Sequence, residues 1–526
     1  MDYKIKMIRN IYIAIICLFL ILKPLYADIC VEYFGGAGRV SGSCSLLQTD
    51  KTSVIIDCGS FYQEDDLSAD NTFISDKLLN AKALILTHAH IDHSGRIPYL
   101  ISKGFKGTIY CTPATKKIVF ELYDDGWNFE DVMQKYFWSS AKLSNIQNIQ
   151  KGTLTLHWEE QCKGSIKNIS STDKKTSISI LKKKYKNNFK LCKKCLKKYL
   201  NEIQKQFKEV QYGNNIVVSD DINFVFFDAG HIVGSSSVLF NIVDSQKKTS
   251  ILFSGDLGSG YSKIVKDKEI VPKVDNIFVE STYGAANKKI TVQDYDKFQE
   301  EVAKAIKNKN IVWIPSLALH RTQKVLYEIK QAQDKGLMPS DVQIFSLSPS
   351  ANGITKQYEQ EIRVPSIQKW FTPNVYNEKT LLPKNYTTKK PKQFPKPSII
   401  ISASGMMDQG TSLSLINKLL PLNDVSVFLV SYASPNTPAG QLKKGVKYIK
   451  TKYGGSKVLA KVQSFDIFSD HPDINEIIRW LSKQDKYTNV YLVHGDKNNL
   501  KQAKNILSQK GFPKVKIAVL GNNIIK

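Results

Sequence analysis

Cysteine is scarce in this chain. Eight cysteines in 526 residues are too few for a disulfide framework to carry a fold of this length, so stability has to come from an apolar core. Membrane-spanning length is missing too: the uninterrupted apolar run Ile11 to Leu22 falls short of the roughly 20 residues that cross a bilayer as a helix. Acidic residues are under-represented, 48 against 74 basic ones. The net charge of +26 sets up a field that attracts polyanions such as nucleic acid or an anionic membrane. Such an excess names a class of partner and not a reaction. What is present, 42% hydrophobic and 23% charged residues, is a globular composition that excludes disordered, collagen-like and polytopic membrane classes. At about 150 residues per domain the length allows roughly three units, or two with insertions.

Lys4, Lys6 and Arg9 precede the apolar run, and Leu25-Tyr26-Ala27 follows it as a small-residue cleavage site. This is the layout of a signal peptide over residues 1–27. Cleavage after Ala27 would give an exported protein, periplasmic or secreted, beginning at Asp28. The alternatives are a membrane anchor formed by residues 11–22 and a cytoplasmic chain whose first segment is a buried strand or a misassigned start.

From Asp28 onward, apolar runs such as Val54 to Asp57, Ala83 to Thr87, Phe224 to Asp228, Ile251 to Ser254 and Ile277 to Glu280 read as buried strands. Several end in Asp57, the His88 group, His231, Asp256 and Glu280, so one cleft at a sheet edge is expected. A lysine-rich stretch over 157–212 reads as a helical insertion. Residues 285–445 alternate helix-like and strand-like pieces, which indicates an α/β unit with a parallel sheet. The segment 446–526 returns to strand, helix, strand, helix.

The densest chemical signal is Thr87-His88-Ala89-His90-Ile91-Asp92-His93. Imidazole and carboxylate are the ligands zinc prefers in catalytic sites. Strand-like spacing puts His88 and His90 on one side, while Asp92 and His93 start a helix and address a second ion, so two metals are the natural reading. His231 in a Gly-rich turn, Asp256 in Ser254-Gly255-Asp256 and His494 in His494-Gly495 each follow an apolar strand. Singly they are weak signals; together with the first cluster they complete a ligand set.

These residues make the chain resemble the metallo-β-lactamase superfamily, whose HxHxDH signature appears as His88, His90, Asp92 and His93. The resemblance is closest to the β-CASP RNA-processing nuclease branch, which includes RNase J and the pre-mRNA 3′-end cleavage nuclease. Further matches are Gly95-Arg96-Ile97-Pro98, Glu280-Ser281-Thr282-Tyr283-Gly284, Arg321-Thr322-Gln323, Ser404-Gly405-Met406 and Ser469-Asp470-His471-Pro472-Asp473. The resemblance implies an α/β fold, a metallo-β-lactamase αββα sandwich over 28–284 and 446–526 with a β-CASP domain inserted at 285–445. It implies two zinc ions per chain: His88, His90 and His231 on one, Asp92, His93 and His494 on the other, and Asp256 bridging. Asp57 would orient a ligand imidazole. Asp92, Asp256, Glu280 and His471 would be catalytic, with a hydroxide held between the metals and His471 donating a proton under the guidance of Glu280. Single-stranded RNA is the implied partner and DNA a second candidate; no small-molecule cofactor is implied, and the oligomeric state is open. Tyr283, Tyr358 and Tyr432 are candidates for stacking bases.

The chain departs from the family pattern in places. Ala285-Ala286-Asn287 replaces an acidic-basic pair and a histidine, Asp470 stands where alanine is usual, and His320 where a small residue is common. A carboxylate at Asp470 could repel phosphate or raise the His471 pKa. Separately, His157, Cys162, Cys192 and Cys195 have spacing suited to a third, structural zinc, against a disulfide or free thiols. Two other functions compete with the leading one, a zinc-dependent ribonuclease. One is hydrolysis of a small ester, thioester or lactam; the other is a catalytically weak nucleic-acid-binding protein.

Overall fold

The structure, a computed structural model, describes residues 29–61, 71, 73–124, 197, 200–244, 247–287, 290–365 and 370–525. The signal-peptide segment and the His157, Cys162, Cys192 and Cys195 set lie outside the described residues, as does most of the lysine-rich stretch. Among the described residues no helix is long and apolar enough to cross a membrane.

Two seven-stranded sheets pack face to face. The first runs in space as Gly521–Ile525, Ile29–Gly35, Cys44–Gln48, Ser53–Ile56, Ala83–Ile85, Thr108–Cys111 and Phe207–Glu209. The second runs as Val515–Ile517, Asn489–Val493, Asn276–Glu280, Lys247–Phe253, Ser236–Asp244, Ile222–Asp228 and Asn215–Val217. Period-two alternation makes the core between them. Val31, Val54, Ile56 and Ile85 from the first sheet meet Phe224, Phe226, Phe240, Phe253 and Phe278 from the second, because successive side chains of a strand point to opposite faces. The outer faces are buried too. Leu84 and Ile109 pack with Ile118 and Val119 of the helix Pro113–Asp124, and Ile277 and Val279 pack with Ile477 and Trp480 of Ile474–Leu481.

A third sheet has six strands, all parallel, in the order Tyr386–Thr387, Gln343–Ser346, Ser398–Ser402, Ile311–Pro315, Val425–Leu429 and Lys461–Ser464. Its central strands Ser398–Ser402, Ile311–Pro315 and Val425–Leu429 are buried throughout and largely apolar because both faces are covered. Val312 and Ile314 pack with Phe298 and Val325 on one side, and Ile311 and Trp313 with Leu415 and Ile416 on the other.

Two segments differ from the sequence reading. Phe207–Glu209, inside the stretch read as helical, is the edge strand paired to Thr108–Cys111. Lys461–Ser464, placed by sequence in the returning segment, pairs with Val425–Leu429 and so extends the third sheet. Both are short edge strands, where a backbone ladder rather than an apolar pattern decides the conformation.

Within the sandwich, Ser53–Ile56 and Ala83–Ile85 are parallel neighbours, as are Lys247–Phe253, Asn276–Glu280 and Asn489–Val493. Ile222–Asp228 joins their direction through two antiparallel steps. Their carboxyl ends therefore share one edge, and the residues that follow them meet there.

Candidate metal centre

Each side chain of the cleft is aimed by local backbone. Asp57 and His494, at the ends of their strands, lie in the left-handed region with φ of 59° and 52°, uncommon for non-glycine residues and held only by surrounding contacts. Two residues after Asp57, Gly59 lets the loop press onto the short helix Ile91–Ser94: a Cβ there would lie 1.6 Å from the Asp92 carbonyl oxygen. The Cys58 N–H then donates to the His93 carbonyl at 2.8 Å. His90 is the N-cap of that helix, so Asp92 and His93 fall in its single turn. Gly230 (φ 66°) makes the turn that brings His231 back.

Six of the eight histidines of the chain converge here. His90 Nδ1 is 3.1 Å from His88 Nε2 and 3.2 Å from His231 Nε2. Asp256 Oδ2 lies 3.5 and 3.7 Å from the same two Nε2 atoms. On the other side, His93 Nε2 is 3.1 Å from His494 Nε2 and 3.2 Å from Asp256 Oδ1, and Asp92 Oδ2 is 3.5 Å from His494 Nε2. Two ligand groups result, His88, His90, His231 and Asp256 on one side and Asp92, His93 and His494 on the other, each with its donor atoms within 4.8 Å of one another.

This donor set fits a pair of small cations. Nitrogen ligands at about 2.0–2.1 Å from a tetrahedral zinc stand about 3.3 Å apart, close to the separations found. Asp256 Oδ1, buried with His93 Nε2 at 3.2 Å, has no well-aligned hydrogen-bond donor among the described residues, and a cation would satisfy it. Burial pushes His88 and His231 down, and His90 to about 3, so these imidazoles are neutral with lone pairs available. Burial works against charge on His93 as well, but Asp256 and Asp57 outweigh it and raise that group. Against burial, His494 and His93 hold Asp92 below the usual carboxylate range.

The outer contacts fix the rings. Asp57 Oδ2 accepts from His93 Nδ1 at 2.7 Å and from the Thr87 hydroxyl at 2.8 Å, and Oδ1 accepts from the Thr87 N–H. Having donated to Asp57, the Thr87 hydroxyl faces His88 Nδ1 at 3.1 Å. Thr282 plays the same part for His494 Nδ1 at 2.9 Å. Neither threonine was singled out by sequence reasoning. Thr87 abuts the histidine cluster, and Thr282 lies inside the Glu280 motif, which were the available signals.

His471 sits between the two groups, its ring centroid 4.8 Å from that of His231 and 6.0 Å from that of His494. Its Nδ1 is 3.0 Å from Glu280 Oε1 and 3.9 Å from Asp256 Oδ2. Glu280 is fixed in turn by the Leu257 and Thr282 N–H groups. Burial disfavours charge on His471, but Glu280 prevails and the pKa is pushed up to about 9, with Asp256 and Asp470 adding to the effect. Asp470 is not directed at a substrate cleft: its carboxylate is taken up by Lys324 at 2.6 Å, which removes the expected phosphate repulsion. Of the aromatics considered for base stacking, Tyr358 is fully buried with its hydroxyl on His320 and has no face to offer. Tyr432 is 61% exposed, and Tyr283 is partly buried with its ring 5.9 Å from that of His471.

Residues 37–155 match the metallo-beta-lactamase superfamily, 322–442 the Beta-Casp domain and 455–518 the Zn-dependent metallo-hydrolase RNA specificity domain. The chain is 26% identical over 479 residues to an RNase J-like protein of Methanocaldococcus jannaschii, covering 89% of this chain and 92% of the relative. It is also 26% identical over 484 residues to the transcription termination factor FttA of Methanosarcina mazei, covering 89% and 67%. With Ribonuclease TTHA0252 of Thermus thermophilus the identity is 23% over 497 residues, covering 93% and 98%.

Proposed function

Because the chain belongs to the metallo-β-lactamase superfamily and carries Beta-Casp and metallo-hydrolase RNA-specificity regions, we propose that it hydrolyses phosphodiester bonds of RNA with two zinc ions bound per chain. The observation that carries this reading is the meeting of both histidine–carboxylate groups with the His471–Glu280 pair at one sheet edge. His88, His90 and His231 would hold one ion and Asp92, His93 and His494 the other, with Asp256 between them. When bound, such ions would acidify a water and neutralise charge on the phosphate during in-line displacement.

The chain's own residues supply the rest. Glu280 favours the protonated form of His471 and occupies its Nδ1, leaving Nε2–H to donate to a phosphate oxygen or to the leaving oxygen. Asp57, Thr87 and Thr282 fix the ring orientations of His93, His88 and His494. The excess of 26 positive charges draws in the polyanion, and neutralising several phosphates makes that attraction strongly salt-dependent. The names of the archaeal RNase J-like protein and the Thermus ribonuclease support RNA as substrate.

The test is cleavage of end-labelled single-stranded RNA by the full chain, alongside metal analysis. We expect cleavage that chelator removes and zinc restores, with two equivalents of zinc bound. Zinc-loaded protein that binds RNA without cutting it would overturn the proposal in favour of a binding protein. A third equivalent would implicate His157, Cys162, Cys192 and Cys195. Export after cleavage at Ala27 is a separate proposal, and an intact Met1 in a cytosolic fraction would reject that proposal alone.

A further inference from the structure

Asp470 stands one residue before His471, and no step above uses its side chain. Its Oδ1 accepts from Lys324 Nζ at 2.6 Å and lies 3.6 Å from His320 Nε2, while Oδ2 faces the Arg321 guanidinium at 3.5 Å. All three partners come from the first turn of the helix Arg321–Asp334 and the residue before it. Lys324 Nζ also donates to the Phe468 carbonyl at 3.3 Å, and Arg321 donates to the Val430 carbonyl. The four side chains are at least nine-tenths buried. Charges taken out of water to this degree are tolerated only when paired and hydrogen-bonded.

The backbone of the same residue reaches the metal centre. The Asp470 carbonyl oxygen lies 3.2 Å from His231 Nδ1, an acceptor that selects the Nδ1–H tautomer and leaves Nε2 toward His90 and Asp256. The next residue is His471, whose ring centroid is 4.8 Å from that of His231. On the far side of the cluster, His320 has φ 62° and its Nδ1 is 3.0 Å from the Tyr358 hydroxyl. A bulky residue keeps that backbone conformation only where its surroundings over-determine it.

We propose that Asp470 is a positioning residue. Its buried contacts with Lys324, Arg321 and His320 lock the helix Arg321–Asp334 onto the loop that orients His231 and His471, so that seating of the inserted third-sheet region sets the geometry of the metal centre. A cluster acting only as structural glue would alter melting and nothing else in the folded protein. Here the connection to His231 predicts an effect on metal retention. The inference rests on the zinc-hydrolase reading for its kinetic arm alone.

The experiment compares the full-length parent with Lys324→Met, Lys324→Arg and Asp470→Asn. It measures zinc held against graded chelator, kcat and KM on single-stranded RNA, and melting temperature. For Lys324→Met we expect about tenfold weaker zinc retention and about tenfold lower kcat with KM changed less than about twofold, as when the outer partner of a ligand histidine is lost. Lys324→Arg should restore most of both. Should Asp470→Asn fail to fold, the two Lys324 variants decide. A Lys324→Met protein that melts earlier but holds zinc and turns over like the parent would overturn the proposal. If the parent itself cleaves no RNA, the hydrolase reading fails while the zinc-retention comparison still tests the lock.

Discussion

At the edge of the sandwich, strands lead into Asp57, His88, Asp256, Glu280 and His494, groups that carry charge or bind it. At the carboxyl edge of the inserted sheet, the four central strands lead into Ser316, Ser346, Ser402 and Ser431, hydroxyls that do neither. Both edges release backbone from the ladder at the ends of parallel strands, the place where α/β sheets bind ligands. The sandwich edge, however, buries groups that are costly to dehydrate unless partners or cations offset them, whereas a neutral serine hydroxyl costs far less than a charge. The comparison puts the proposed reaction at the sandwich edge, and the inserted-sheet edge bears on it only through the contacts of His320, Arg321 and Lys324 with Asp470, not through its serines.

The hardest test of that assignment is Asp92→Ala. It removes a carboxylate that His494 and His93 hold ionised, and cleavage of labelled RNA should fall to background while circular dichroism stays that of the parent. Full activity in the purified variant would end the assignment. His471→Ala should lower kcat by about 10²–10⁴ with KM little changed, the range for losing a positioned acid. Asp57→Asn puts an amide donor where His93 Nδ1 and the Thr87 hydroxyl now donate; zinc affinity or activity should drop by about 10–100-fold. Ser431→Ala, at the other edge, should keep kcat within about twofold and leave melting unchanged or slightly raised, since its buried hydroxyl has no hydrogen-bond partner among the described residues to lose. A collapse of kcat in this last variant would erase the distinction between the edges; a raised KM alone would sharpen it by placing substrate against Ser431.

The same contrast explains what could be read from sequence. The His88 to His93 cluster was legible because its ligands are packed into six residues, and Ile311–Pro315 or Val425–Leu429 because parallel strands buried on both faces are continuous apolar runs. His231, Asp256 and His494 gained weight only as a set, since a lone strand-end histidine or aspartate is commonly structural. The roles of Thr87 and Thr282 were not legible. Each depends on a partner 30 or 212 residues away, and a threonine beside a strand looks like any other. Asp470 was noticed and its upward pull on His471 expected, but its charge partners were not legible because they lie about 150 positions earlier in the chain, on the helix Arg321–Asp334. The pairing of Lys461–Ser464 with Val425–Leu429 was not legible because four residues at a sheet edge carry no period.

A further expected effect concerns pH. Asp228 ends the strand before His231, and burial pushes its pKa up to about 8 although the Gly230 N–H donates to it. The folded chain therefore holds a proton that the unfolded chain releases above the ordinary aspartate value of about 3.9. The stability this provides is fully present below about pH 4 and is lost as pH rises through about 8. Asp228→Asn keeps an acceptor for the Gly230 N–H and removes the titration. Urea midpoints measured from about pH 5 to 8 should therefore decline less steeply in Asp228→Asn than in the parent. Ser431→Ala, whose hydroxyl does not titrate, should track the parent at every pH. Parallel profiles for the parent and Asp228→Asn would mean that Asp228 is already ionised in the fold, and that the sandwich edge tolerates a buried carboxylate as easily as the inserted sheet tolerates its serines.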